Sequence, residues 1–295
     1  MLKKLLGVIR APFLLLVPAC LAPAFAITWR HTGTPDTTAA ILVIIAAFAA
    51  HIAVNALNEY EDFRSGLDLM TVRTPFSGGS GTLVADAGFA PATLFIALAA
   101  LLITASIGLY FVLQLGRAAV VPGLIGLTII VAYTRWINRF PLLCLLAPGI
   151  GFGFLMVNLA VLGLTGSIYP ESLWASLPVT LLVSNLLLVN QLPDIEADRN
   201  AGRRHIAIVW GSASAVRTVA LLLAGAYLAI LAGWLVGVLP ALCLLAWCTA
   251  PLAVWVVAKA RKSDPGSPAT LTPVLAANVA LTLLTPVLLA VGLLV

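Results

Sequence analysis

Eleven side chains of this 295-residue chain are acidic, and seven of them fall in two short stretches. One reads Asn58-Glu-Tyr-Glu-Asp62-Phe-Arg-Ser-Gly-Leu-Asp68. The other reads Asn190-Gln-Leu-Pro-Asp194-Ile-Glu-Ala-Asp198-Arg-Asn-Ala-Gly-Arg203-Arg204-His205. Each continues an apolar run, and a carboxylate at membrane depth costs about 2.5–3.5 kcal/mol unless it is paired or hydrated. On a helix, Asn58 and Asp62 share one face about 6 Å apart, and Asn190, Asp194 and Asp198 repeat that spacing as a longer stripe. Amide and carboxylate oxygens are hard ligands suited to Mg²⁺, which takes one or two protein carboxylates and fills its shell with water and substrate phosphates. Two facing stripes of this type are suited to holding a diphosphate through bridging Mg²⁺ ions, with Arg73, Arg203 and Arg204 neutralising the remaining charge. Ordinary solvated helix ends account for either stretch alone, but poorly for two that gather most of the acids.

The elements that position these residues follow from composition. The chain is 62% apolar and 9% charged, against about 45–50% and about 25% in soluble domains. Soluble, disordered, collagen-like and disulfide-scaffold classes are excluded. At roughly 20 residues per crossing, the apolar content corresponds to about nine helices, read near 11–28, 38–57, 91–113, 118–134, 142–166, 173–193, 216–238, 240–258 and 270–293. The expected protein is all-α and polytopic. With the N-terminus inside, fourteen of the sixteen basic residues fall on inner segments and only Arg30 and Arg117 outside, a positive-inside pattern that puts the C-terminus outside. This bias also accounts for the net charge of +5 without a nucleic-acid partner. Two inner loops, about 58–90 and 194–215, exceed what a hairpin needs and emerge on the same face. Lys3, Lys4 and the run to Ala26 resemble a cleavable signal, but Arg10 interrupts the run, so a retained first helix is expected. Cys20, Cys144, Cys243 and Cys248 form no C-x-x-C pair and read as small apolar residues.

Other candidates flank the acids. Arg73 precedes Ser77-Gly-Gly-Ser-Gly81, whose successive N–H groups suit a phosphate cradle or a flexible hinge. Arg10, where the first helix enters the bilayer, is placed to reach a diphosphate or to snorkel to the interface. Tyr133 and Arg139 could orient an acceptor or a phosphate, or simply mark the interface. His51 lies seven positions before Asn58 and reads as a hydrogen-bonded interhelical histidine or a proton acceptor. His31 and Trp136 read as interface residues.

On these motifs the chain resembles the UbiA superfamily of intramembrane prenyltransferases. That family carries an Asn/Asp-rich motif after its second helix and an Asp-x-x-x-Asp motif after its sixth, and the likeness covers essentially the whole chain. Asp194-x-x-x-Asp198 followed by Gly202-Arg203-Arg204 resembles the family's Asp-x-x-x-Asp-x-x-x-Gly-Lys/Arg pattern. Asn58, Asp62 and Asp68 are most similar to the menaquinone branch, which prenylates 1,4-dihydroxy-2-naphthoate; the benzoate branch spaces its last acid where this chain has Gly66. Tyr133-Thr-Arg-Trp-Ile-Asn-Arg139 loosely resembles a tyrosine-plus-basic segment after helix four. The chain departs from the pattern at Glu59, where Asp is frequent, and at His205, where Thr is usual.

The resemblance implies one transmembrane domain over residues 1–295, a bundle around a central cavity with a polar cytoplasmic cap. It implies Mg²⁺ ligands led by Asp62, Asp194 and Asp198, supported by Asn58, Asn190 and Asp68. A polyprenyl diphosphate binds at the cap, its tail running toward lipid. Metal and arginine charge stabilise the departing diphosphate, and an aromatic carbon attacks the allylic cation in a cavity that excludes water. Other acceptors stay open: 4-hydroxybenzoate, a tetrapyrrole or a lipid. The rival class is a secondary transporter, since two Asn-x-x-x-Asp motifs 132 residues apart hint at a repeat. Transporters, however, bind near the bilayer midplane, and these acids sit at helix ends beside arginines. The expected setting is a prokaryotic cytoplasmic membrane; protein partners stay open.

Overall fold

Backbone groups in lipid find no water, so apolar runs of membrane length fold as helices. The computed structural model describes residues 1–265 and 267–295, and no strand occurs among them. The membrane segments are α1 (Ala11–Thr32), α2 (Thr37–Ser65), α3 (Ala87–Leu115), α4 (Arg117–Ala132), α5 (Pro141–Thr165), α6 (Pro170–Asn190), α7 (Ser212–Leu235), α8 (Ala241–Ala260) and α9 (Pro268–Leu293). Eight are long and apolar enough to cross a membrane; α4, with 16 residues, is shorter. The protein is an integral membrane protein built from helices, close to the expected count of nine.

Length sets where the polar motifs emerge. The 29 residues of α2 span about 44 Å, well beyond the roughly 30 Å hydrocarbon core. Its N-terminal end is fixed by Asp36, whose side chain accepts the Ala39 N–H at 2.7 Å, an N-cap. Its last turns, carrying Asn58 and Asp62, come after the roughly 20 residues that one crossing needs. Gly66 closes the helix at φ +78° with its N–H returned to the Asp62 and Phe63 carbonyls, a left-handed cap open to glycine. The first motif is thus mostly helical rather than loop, and the true first cap segment begins at Gly66.

The second motif departs from the expected stripe. Helix α6 stops at Asn190, residues 191–194 turn, and a short helix resumes at Ile195–Asn200. Pro193 has no N–H and restricts the residue before it. Asn190 is therefore not in helical register with Asp194, whereas Asp194 and Asp198 remain one turn apart, joined by the Asp198 N–H to the Asp194 carbonyl at 2.8 Å.

Packing divides the bundle. A core of Leu182, Val219, Leu223, Val256, Leu275 and neighbours joins α6 to α9. On the other side α2, α3, α4 and α5 enclose an apolar cavity of about 590 Å³. Helix α5 widens to a π-helical turn at Ile150–Leu155, and Gly151, Phe152 and Leu155 of that turn line the cavity.

Candidate functional site

The two acidic motifs meet at one end of the bundle around Arg203. Its guanidinium pairs with Asp62 of the first motif and, at 2.9 Å, with Asp198 Oδ1 of the second. The Arg203 N–H also returns to the Asp198 carbonyl at 2.9 Å. The second Asp198 oxygen lies 3.0 Å from His205 Nε2. Asp62, Asp198 and His205 are all buried. Burial opposes the Arg203 charge, but Asp62 and Asp198 outweigh it and hold the guanidinium above the ordinary arginine pKa. Removing one partner from such a buried pair typically costs about 3–5 kcal/mol.

A second cluster forms around Glu59, which is fully buried. Its Oε1 accepts Arg10 Nε at 2.9 Å and the Ser80 N–H at 2.6 Å, and its Oε2 accepts the Ser80 hydroxyl at 3.0 Å. Arg10 adopts φ +50°, a left-handed conformation unfavourable for a side chain of this size. Asn55 Nδ2 steadies the neighbouring backbone through the Ile9 carbonyl at 3.0 Å. Arg10 therefore does not snorkel: a buried carboxylate anchors it under the cap, because pairing satisfies both charges in a region of low dielectric.

The glycine-rich segment is committed to the same acids. The Ser80 N–H goes to Glu59 at 2.6 Å. A Cβ on Gly79 would sit 2.7 Å from Asp68 Oδ1, so only glycine lets that backbone lie against the carboxylate. Arg73 is exposed, its guanidinium against Gly81.

Three oxygens in this region are buried without a hydrogen-bond partner: Asp68 Oδ2, Asn190 Oδ1 and Asp194 Oδ1. Orphaned buried acceptors are costly, and hard oxygens of this kind fit a divalent cation. Burial, then the neighbouring Glu59 and Asp62, push the Asp68 carboxyl up to about 7; burial, then Asp198, do the same for Asp194. Among the described residues no three His, Cys, Asp or Glu side chains form a ready-made cage. The donor set instead suits an ion that also takes substrate oxygens.

The remaining predicted residues are distributed unevenly. Asn58 donates to Thr134 Oγ1 at 3.3 Å and, with Arg10, Asn55 and Tyr133, forms the polar end of the cavity. The Tyr133 hydroxyl is 3.6 Å from Cys144 Sγ, which also accepts Gln191 Nε2 at 3.2 Å. Arg139 and Arg204 have exposed side chains; the Arg204 N–H bonds the Asn138 carbonyl at 3.0 Å, tying the α4–α5 connection to the second cap segment. His51 lines the cavity edge-on to Phe152, with its ring centroid 4.6 Å away and its Nδ1 without a partner; it is not the hydrogen-bonded interhelical histidine expected. His31 stacks on Tyr169 at 3.7 Å. Cys20, Cys144 and Cys243 are buried free thiols, whereas Cys248 is exposed.

Sequence reasoning missed Ser80 and Asn55 as cap residues and undervalued Glu59 and His205. Asn55 was detectable one turn before Asn58, and Glu59 lies inside the first motif. Nothing local links Ser80 to a carboxylate 21 positions away.

Comparison with known proteins places this geometry. The model of the UbiA prenyltransferase family matches residues 15–279. A curated relative, 1,4-dihydroxy-2-naphthoate octaprenyltransferase of Bacillus subtilis (strain 168), is 33% identical over 193 residues, or 63% of this chain; the match spans 58% of that relative's length. Two solved structures share the fold. A UbiA homolog from Aeropyrum pernix K1 in its apo form has a TM-score of 0.69 at 21% identity, covering 94% of this chain and 96% of that one. A UbiA homolog from Archaeoglobus fulgidus bound to DMAPP and Mg²⁺ has a TM-score of 0.66 at 14% identity, covering 98% and 99%.

Proposed function

Because the chain belongs to the UbiA prenyltransferase family, we propose that it moves a prenyl group from a prenyl diphosphate at the cap onto an aromatic acceptor in the cavity below. One observation carries the reading. The apolar cavity meets its polar end, at Arg10, Asn58 and Tyr133, beside the clustered acids and arginines. A molecule with a charged head and a hydrocarbon tail is what such a junction accommodates. The relative's name points to 1,4-dihydroxy-2-naphthoate as the acceptor, and the A. fulgidus homolog, bound to DMAPP and Mg²⁺, supports a metal-assisted diphosphate.

Asp68, Asn190 and Asp194 would hold the cation through their orphaned oxygens, with Asn58, Asp62 and Asp198 completing the acidic surround. Bound Mg²⁺ supplies charge that stabilises the departing diphosphate. Arg203, fixed between Asp62 and Asp198, adds positive charge at the same place, and the exposed Arg73, Arg139 and Arg204 can close on the phosphates. The carbon–oxygen bond breaks with its electron pair leaving on the diphosphate. An acceptor ring carbon forms the new carbon–carbon bond. With dihydroxynaphthoate, the carboxylate at that carbon leaves as CO₂, and its bonding pair restores the aromatic ring. The apolar wall of Val54, Ile130, Phe152 and Leu155 keeps water from the allylic cation.

The distribution of basic residues supports an orientation with the N-terminus and cap on the cytoplasmic side and the C-terminus outside. The test is incubation of the purified protein with a prenyl diphosphate, Mg²⁺ and a panel of aromatic acids, read by mass spectrometry. A prenylated, decarboxylated naphthoquinol is expected. Product from 4-hydroxybenzoate alone would move the acceptor, and absence of product from every acceptor would overturn the reading.

A further inference from the structure

His205 is among the most buried polar side chains of the cap, 1% exposed, and its position follows from the backbone. It precedes the short helix Ile206–Val209, and its carbonyl accepts the Ile208 and Val209 N–H groups at 3.0 and 3.1 Å. The ring is thereby turned inward, and Nε2 meets Asp198 Oδ2 at 3.0 Å. An ionised carboxylate only accepts, so Nε2 carries the hydrogen. Nδ1 is buried without a partner, leaving the bond to Asp198 as the one polar contact fixing the ring among the described residues.

The consequence reaches beyond the pair. Asp198 has two oxygens with separate tasks: Oδ2 is held by His205 and Oδ1 by Arg203. Arg203 in turn crosses to Asp62 at the end of α2. His205, Asp198, Arg203 and Asp62 form one chain, buried except for part of Arg203, that joins the two acidic motifs. Without the histidine bond, the Asp198 carboxylate is held through Oδ1 alone, and the Arg203 fork loses the second anchor that fixes the acceptor aiming it across the cap.

We propose that His205 is a positioning residue: by clamping Asp198 Oδ2 it sets the aim of Arg203 and so pre-forms the diphosphate-binding cap. The inference rests on the reading of the site as a prenyl diphosphate cap. A group that acts on a binding side chain from behind typically contributes 10–100-fold in affinity.

The substitutions separate this role from simple packing. Gln places its Nε2 donor near the position of histidine Nε2, Asn cannot reach that far, and Leu fills the space with no donor. Two quantities are measured for each: the Michaelis constant for the prenyl diphosphate, and the thermal stabilisation of the detergent-solubilised protein by Mg²⁺ with inorganic diphosphate. His205→Gln is expected to stay within about threefold of wild type, while His205→Leu and His205→Asn lose about tenfold or more in both readouts, with kcat changing less than the Michaelis constant. Should the Leu variant fail to fold, the Gln–Asn contrast decides. Equal values for Gln, Asn and wild type overturn the proposal. A wild type that neither turns over nor gains stability overturns the prenyltransferase reading and this inference with it, which distinguishes the two failures.

Discussion

The two sides of the bundle solve opposite problems with similar helices. On one side α6 packs against α7 and α9 and buries 67% of its most apolar stretch; on the other, α3 buries only 11% of its own. The packed side even closes over polar groups: Asn185 bonds Asn278 at 2.6 Å, and Tyr227, Thr249 and Thr285 form a chain of 2.8 Å contacts. The α2–α5 side keeps its apolar walls apart around the cavity. Each side delivers one acidic motif to the cap, so the repeat is one of sequence, not of packing. The second motif continues from the packed core around α6, while the first motif adjoins the apolar cavity through Asn58. A transporter built from equivalent halves would not need this asymmetry.

The comparison breaks most sharply at the motifs. Asp194→Asn and Asp62→Asn should each lower turnover by about 10²–10³-fold with folded protein retained, as judged by product formation and by size-exclusion profile. Near-normal activity in either would remove that residue from the site. Glu59→Ala should be the most destabilising single change in the cap, by about 3–5 kcal/mol, because it strands Arg10 and the Ser80 N–H; thermal denaturation in detergent reads it.

Filling the chamber tests the hollow side. Gly123 lines the cavity, and a Cβ added there meets nothing within 4 Å. Gly123→Leu should leave stability equal or about 1 kcal/mol higher through helix propensity, while turnover of long-tailed diphosphates falls more than that of short ones. On the packed side, Asn185→Leu or Asn278→Leu alone should cost about 1–2 kcal/mol and the pair together less than their sum. A smaller effect concerns pH. Asp68 and Asp194 are raised from the ordinary 3.8 to about 7, burial being the main cause. In the absence of cation these acids make the folded state lose stability as pH rises from about 4 through 7. A cation competes with the same protons, so the Mg²⁺ concentration for half-maximal stabilisation should fall as pH rises from about 6 to about 8.

Much of this was legible in the chain because hydrophobicity is local and charge is scarce. Nine apolar runs can be located without knowing their partners, and with 9% of residues charged the acids stand out singly. The spacing of Asn58 and Asp62 survived because α2 continues through both. That of Asn190 and Asp194 did not, since Pro193 ends the helix between them. What the chain concealed were contacts between distant segments. Nothing local joins Arg10 to Glu59 or aims Arg203 from Asp198 to Asp62; these pairings exist only after the helices pack. His205 was visible as a departure from the family pattern, but its bond to Asp198 depends on the turn at Gly202 and the helix that follows.

The central claim is that a diphosphate head sits at the cap while its tail occupies the hollow side. A photoactivatable prenyl diphosphate, cross-linked in the presence of Mg²⁺ and mapped by peptide mass spectrometry, tests it directly. Labels are predicted on α2, α4 and α5 residues facing the cavity, such as Val54, Ile130 and Leu155, and are expected to be lost in Asp194→Asn. Labels confined to α7–α9, or unchanged by that substitution, would contradict it.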